Sequence, residues 1–288
     1  MTEQTWFITG ASRGLGRALL DAVAARGDQA VAAVRRPEAL AAYQSNQRVL
    51  VTRLDVTDPA SILEARDSAL ERFDHIDVLV NNAGRGLLGP VEETSDSEAR
   101  ALFDINFFGV LDTTRAILPT LRRQRSGIVV NISSVGGFTA LPGSGVYAAT
   151  KFAVEAVSES LAAELDGTGV RIMVIEPGAF RTDFLDSSSI VTTEADPIDD
   201  YVATVHQGQP AFLAASGRQI GDPWRGAEVI IDAVKAAEPP FRLQLGADSV
   251  ERVERKLAFV KHELDTWRPV SVSTGFDSEV SSVDVEDL

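Results

Sequence analysis

The chain has 288 residues, 44% of them hydrophobic, no cysteine, and a formal net charge of −15 from 27 basic and 42 acidic side chains. Without cysteine there is no disulfide, no thiol nucleophile and no cysteine-held metal or iron–sulfur cluster, and the acidity argues against nucleic acid, whose phosphates need clustered Lys and Arg. No apolar run reaches the ~20 residues of a membrane helix, and Met-Thr-Glu-Gln leads into an apolar segment without a basic leader, so a cytoplasmic α/β protein with no membrane contact is expected.

Residues 5–9, Thr-Trp-Phe-Ile-Thr, have the composition of a buried strand. The glycine-rich run Gly10-Ala-Ser-Arg-Gly-Leu-Gly16 follows, then a helix from Arg17 to Arg26 that stops at Gly27. Strand, glycine turn and helix make a dinucleotide-binding opening, in which small residues admit a pyrophosphate and helix N–H groups meet the anion. The spacing Gly10, Gly14, Gly16 differs from the general G-x-G-x-x-G pattern, and a plain tight turn is the competing reading. The second strand, 29–34, ends in Arg35-Arg36, where a guanidinium suits a ribose 2′-phosphate better than the acid that binds a free 2′-hydroxyl. Arg13 is placed to share such a phosphate.

A third strand over 49–54 delivers Asp55, which either contacts an adenine or finishes a turn. Asp58 is expected to cap the helix Pro59 to Phe73. A fourth strand, 77–80, ends in Asn81-Asn82-Ala83-Gly84, whose asparagines either tie strands together or meet a ligand. A long helical region spans 96–123. Asn106 in its middle is a poor helix former and predicts a kink or a bound water, and Pro119 predicts a second bend. The fifth strand, 127–132, delivers Ser133 and Ser134.

Tyr147 and Lys151 then open a helix four residues apart, so phenol and ammonium share one face. A phenol keeps its proton to about pH 10, and a nearby cation lowers that value. The pair suits proton exchange with a carbonyl or alcohol oxygen held by a serine hydroxyl. A lone Tyr-x-x-x-Lys is more often an ordinary surface pair, and only the rest of the chain overturns that reading. A sixth strand, 170–175, ends in Glu176-Pro177-Gly178. Helices over 224–236 and 249–265 flank a seventh strand, 241–245. Strand and helix alternate throughout, giving an α/β fold with a doubly wound, mostly parallel, seven-stranded sheet.

Taken together, Thr9-Gly-Ala-Ser-Arg-Gly-Leu-Gly16, Asp55, Asn81-Asn-Ala-Gly84, Asn106, Ser134, Tyr147-Ala-Ala-Thr-Lys151 and Pro177-Gly178 resemble the short-chain dehydrogenase/reductase family in its single-domain branch, over about residues 5–182. The resemblance implies a Rossmann fold and a catalytic set of Asn106, Ser134, Tyr147 and Lys151. Tyr147 would be the general acid/base. Lys151 would bind the nicotinamide ribose and lower the Tyr147 pKa, Ser134 would position the substrate oxygen, and Asn106 would hold a water that returns protons. Family spacing selects Ser134 over Ser133. The resemblance also implies a cofactor site of Gly10, Ser12, Arg13, Gly14, Leu15, Gly16, Arg35, Asp55, Val56, Asn82, Ala83, Gly84, Tyr147, Lys151, Pro177, Gly178 and Thr182, with NADP(H) preferred and NAD(H) possible.

Residues 179–223 resemble the family's substrate lid, so one domain over 1–268 is expected, followed by an acidic tail, 269–288, expected to be mobile. Leu88, Val135, Phe138, Leu141 and Phe184 are candidates to line an apolar site for a carbonyl or alcohol substrate, although such residues pack on a core as readily. The long C-terminal part and Phe-Arg-Thr-Asp at 180–183 resemble the 17β-hydroxysteroid and retinol dehydrogenase-like subgroup. His206 has no visible partner, and with only three histidines no catalytic metal is expected. The two long helices resemble the family's dimer face, which implies a homodimer, with the extra C-terminal helix blocking further assembly. A catalytically weak NAD(P)-binding regulatory protein is the alternative.

Overall fold

Apolar side chains alternate along the first strand, and that alternation builds both halves of the core. The computed structural model describes residues 3–275. In β1 (Thr5–Thr9), Trp6 and Ile8 point to one face of the sheet and Phe7 to the other. On the first face they meet Leu19 and Leu20 of α1 (Gly14–Ala25) and Ile230 and Ile231 of α7 (Pro223–Val234). On the second they meet Ile62 of α2 (Pro59–Phe73), Ile117 and Leu121 of α4 (Gly109–Gln124) and Leu165 beyond α5 (Gly145–Glu164).

The remaining strands of the sheet are β2 (Gln29–Val34), β3 (Val49–Arg53), β4 (Val78–Asn81), β6 (Gly127–Ile132), β7 (Val170–Pro177) and β9 (Arg242–Leu245), in the order β3-β2-β1-β4-β6-β7-β9 with every pairing parallel. The chain reverses direction across the sheet between β1 and β4, the switch point at which open parallel sheets bind ligands beyond their strand ends. A small second sheet pairs β5 (Gly86–Leu88) with β8 (Ile190–Thr192), laying the 179–223 segment over the strand ends. A five-residue helix, α6 (Gln209–Leu213), lies in the same segment.

Local sequence explains the helix boundaries. Asp58 accepts from Ala60 N with Pro59 at the first helical position, and Ser95 and Glu98 cap α3 (Asp96–Phe103) reciprocally. Between α3 and α4 the backbone widens into a π turn at Asp104–Phe108, with Asn106 at its centre, so the expected irregularity is an extra residue in the helix rather than a Pro-type kink. The helix continues through Pro119 to Gln124. A buried polar chain crosses the layers. Asn81 donates to Thr114 at 2.9 Å and to Asn131 at 2.8 Å, and Asn131 donates to Ser158 at 2.8 Å. Asn81 therefore ties elements together.

The last helix, α8, runs Ala247–Ser271, longer than the sequence periodicity indicates and through Pro269, where the tail was expected to begin. The rest of that tail, 276–288, lies outside the described residues. Among the described residues no helix is long and apolar enough to cross a membrane.

Candidate active site

The glycine turn works by close approach. Gly10 and Gly14 hold φ of 67° and 57°, which favour glycine. A Cβ on Gly16 would stand 2.3 Å from Asn82 Nδ2, so only glycine lets α1 pass this near the β4 end. Asn82 answers by donating to Thr9 O at 2.9 Å and Gly10 O at 3.2 Å, and Thr9 Oγ1 accepts from Asn82 N and Ala83 N, both at 3.0 Å. Leu15 packs on the core. Ser12 sits half-buried in the turn. Thr182, which caps the turn Asp183–Leu185 through Phe184 N, faces Gly14 across a cavity of about 150 Å³ also lined by Arg17, Asp183 and Trp224. A larger cavity of about 390 Å³ is lined by Asp96, Arg100, Phe103, Asp104 and Phe108, none of them a candidate site residue.

Arg35 is exposed at the end of β2. Arg13 is engaged elsewhere: its guanidinium donates to Ser188 Oγ at 2.6 Å and Ser188 O at 2.8 Å, strapping the lid to the glycine turn. Asp55 closes a turn, accepting from Thr57 N at 3.0 Å and Thr57 Oγ1 at 2.8 Å, and those bonds hold its carboxyl below its usual range. Val56 packs against Gly109.

The four candidate catalytic residues fall in two pairs, Asn106 and Lys151 beside Gly84, Ser134 and Tyr147 beside Gly136, with Tyr147 and Lys151 one turn apart on α5. A Cβ on Gly84 would lie 3.2 Å from Asn106 Oδ1 and 3.7 Å from Lys151 Nζ. Asn106, fully buried, accepts from Arg85 N at 2.9 Å and donates to Arg85 O at 2.9 Å and Thr150 Oγ1 at 3.1 Å. Lys151 is 6% exposed and donates to Ile132 O at 2.9 Å; burial pushes its pKa down to about 8. Ser134 Oγ accepts from Gly136 N at 2.9 Å, and a Cβ on Gly136 would be 3.2 Å from that oxygen and 3.4 Å from Tyr147 Cε1. Burial raises the Tyr147 phenol to about 12, against a hydrogen bond from Ser134. The expected lowering of that phenol by Lys151 is not part of this arrangement. The ammonium is itself desolvated and directed at the Ile132 carbonyl.

Of the apolar candidates, Phe184 meets Tyr147 with ring centroids 5.9 Å apart. Leu88 stands in β5 opposite Thr192 of the lid. Val135 and Phe138 bracket the short turn after Ser134, while Leu141 is half-exposed. Pro177 ends β7, and Gly178 abuts the Asp248 carboxylate, which accepts from Ala179 N at 2.8 Å.

Several residues escaped the sequence reading. Glu93, buried, accepts from Ile198 N at 2.8 Å and pairs with His206 Nε2 at 2.9 Å, so His206 has a partner and helps pin the lid. Tyr201 donates to Glu92 at 2.5 Å beside it. One turn beyond Lys151, Glu155 lies 3.1 Å from Arg242 Nε, and buried Glu176 lies 3.6 Å from the same nitrogen. Burial raises both carboxyls, with Arg242 only partly offsetting it. The spacing of four from Lys151 was a visible signal for Glu155; Glu93 had none.

A sequence model described as short chain dehydrogenase matches residues 4–190. Oxidoreductase BOA17 of Botryotinia fuckeliana (strain B05.10) is 37% identical over 272 residues, 93% of this chain and 98% of that protein. The crystal structure of a short-chain dehydrogenase from Streptomyces avermitilis is similar with a TM-score of 0.87 and 39% identity, covering 96% of this chain and 100% of that one. A short chain dehydrogenase/reductase from Burkholderia phymatum in complex with NAD gives a TM-score of 0.77 and 26% identity, covering 97% of this chain and 98% of that one.

Proposed function

The chain belongs to the short-chain dehydrogenase family as an NAD(P)-dependent oxidoreductase, and we propose that it interconverts a ketone and a secondary alcohol on an apolar small molecule, with NADP(H) preferred over NAD(H). The observation that carries this reading is the pairing of Asn106 with Lys151 beside Gly84 and of Ser134 with Tyr147 beside Gly136, on the sheet edge that also holds the glycine turn. The cradle fits a dinucleotide, because a side chain at Gly10, Gly16 or Gly84 would crowd the backbone and amides that a pyrophosphate and ribose approach. Gly10, Ser12, Gly14, Leu15, Gly16, Asp55, Val56, Asn82, Ala83, Gly84, Pro177, Gly178 and Thr182 form its walls.

The bound nicotinamide supplies the hydride chemistry. Tyr147, its proton held firmly by burial, donates to the substrate oxygen in reduction and withdraws that proton in oxidation. Ser134 holds the same oxygen. Lys151, whose ammonium rests on Ile132 O, would hold the ribose hydroxyls of the bound cofactor. Asn106 Oδ1 keeps a lone pair for a water that returns the proton through Lys151. Phe184, against Tyr147, gives the substrate an apolar wall, continued by Leu88, Val135 and Phe138. Arg35 carries the preference for a 2′-phosphate, and Arg13 joins it only on releasing Ser188. Two copies pair across α4 and α5.

The test is fluorescence titration with NADPH and NADH, then a carbonyl panel with wild type and Tyr147→Phe. Tighter NADPH binding, and loss of turnover in the variant with binding kept, are expected. Retained turnover in Tyr147→Phe refutes the mechanism.

A further inference from the structure

The first turns of α8 are anchored. Ser249 Oγ donates to Glu176 O at 2.7 Å, Val253 is buried, and Arg252 donates to Thr139 O at 2.9 Å. From Leu257 to Gly275 every residue is exposed, so roughly four turns of helix stand clear of the body. A free helix shorter than about 12–15 residues is marginal in water, and this one also contains Pro269. Its apolar residues are nonetheless ordered. Leu257, Val260, Leu264 and Trp267, exposed by 53%, 45%, 50% and 61%, continue the line of Val250 and Val253 at alternating steps of three and four. These are the a and d positions of a heptad seam. Phe259 lies off that seam, under Lys256 Nζ at 5.3 Å.

We infer that this seam pairs antiparallel with the same seam of a second copy of the chain, making a two-fold interface separate from α4 and α5 instead of blocking further assembly as the resemblance implied. The 3-4-3 spacing reads identically in both directions. Two antiparallel seams therefore set Leu257 of one copy against Trp267 of the other, and Val260 against Leu264, as a self-complementary two-fold contact. The same alignment brings Glu254 of each copy beside Arg268 of the other. Lys261 and Glu263 meet their own copies near the axis, and Lys261 is already held by Asp265 at 2.6 Å.

The charge of α8 itself admits this occupant. The protein carries −15, which opposes the approach of two bodies, yet α8 holds five acids and five basic residues and is neutral. Its contact with a second copy adds no net charge of its own. A helix that lies on anionic lipid carries a basic excess, and α8 has none.

The test is the mass of the full chain by light scattering after gel filtration. The variant Leu257→Glu/Leu264→Glu alters only exposed positions and is expected to halve the mass, whether or not α4 and α5 also pair. An unchanged mass overturns the inference, and so does a monomeric wild type. The natural chain has no cysteine, which allows an independent measurement. Lys261→Cys, beside the axis, is expected to cross-link efficiently with a short bis-maleimide, whereas Arg255→Cys, on the outer face, is not. Equal cross-linking of the two overturns the alignment. Neither measurement uses cofactor or turnover, so the catalytic reading stands or falls separately.

Discussion

Replacing Asn106 with alanine removes the one side chain that joins the π turn, the loop after β4 and the Tyr147 helix. Three hydrogen bonds disappear, to Arg85 N at 2.9 Å, Arg85 O at 2.9 Å and Thr150 Oγ1 at 3.1 Å. A net contribution of about 0.5–1.5 kcal/mol each gives about 3 kcal/mol, and unpaired Arg85 groups next to a fully buried position favour the upper half of that range. For a chain of this size such a loss lowers Tm by about 6 °C or more. The assay is guanidinium unfolding followed by circular dichroism, with the midpoint expected to fall at unchanged slope. NADPH affinity should fall with it, because Gly84 and Arg85 lose their support. A change below about 1 kcal/mol would mean that water replaces the amide without penalty, and the argument for Asn106 as a strut would fail.

Gly16→Ala places a methyl 2.3 Å from Asn82 Nδ2 and 2.7 Å from Gly10 O, so α1 must shift off the β4 end; NADPH affinity is expected to fall at least about tenfold, a loss of about 1.4 kcal/mol, and titration within twofold of wild type would contradict this. Arg13→Ala should change the NADPH/NADH affinity ratio less than Arg35→Ala, because Arg13 is engaged by Ser188; equal effects would return Arg13 to the phosphate site. Glu155 and Glu176 have raised carboxyl pKa values. The folded chain thus holds protons that the unfolded chain has already released. The stability they contribute is complete below the usual carboxylate range and is lost as pH rises through the raised folded values. Relative to wild type, Glu176→Gln should gain over that window, by at most about 1.4 kcal/mol per pH unit for one proton. Parallel pH–stability curves for the two proteins would refute this.

The sheet was legible because its strands are short apolar runs bounded by glycine, asparagine and charge. All seven appear where the pattern puts them, within a residue or two at their ends. Asn106 was legible as an irregularity, since a polar residue between Ile105 and Phe107 has no reason to lie in a regular helix. The lid's fastenings were not. Glu93 and His206 are far apart in sequence, and only the chain's path over the strand ends brings them together. Arg13 was assigned by sequence position, but a guanidinium at the end of a long side chain goes to whichever acceptors lie nearest, and Ser188 supplies two. The span of α8 was underestimated because helical periodicity fades after Asp265, yet the helix runs on to Ser271, two residues past Pro269.

The buried chain from Thr114 through Asn81 and Asn131 to Ser158 acts on the folding route as well as on the folded protein. Parallel β4 and β6 are otherwise nearly uniform runs of Val, Leu and Ile, which pair almost equally well when displaced. A slip of one residue turns every side chain to the opposite face and separates Asn81 from Asn131, which stand opposite each other in the native register. Each amide stranded in the dry interior then costs about 1–3 kcal/mol. The asparagines work as the teeth of a key. Misregistered sheets stay shallow and reversible on the folding landscape, and the correct alignment is the one in which the bolt slides home.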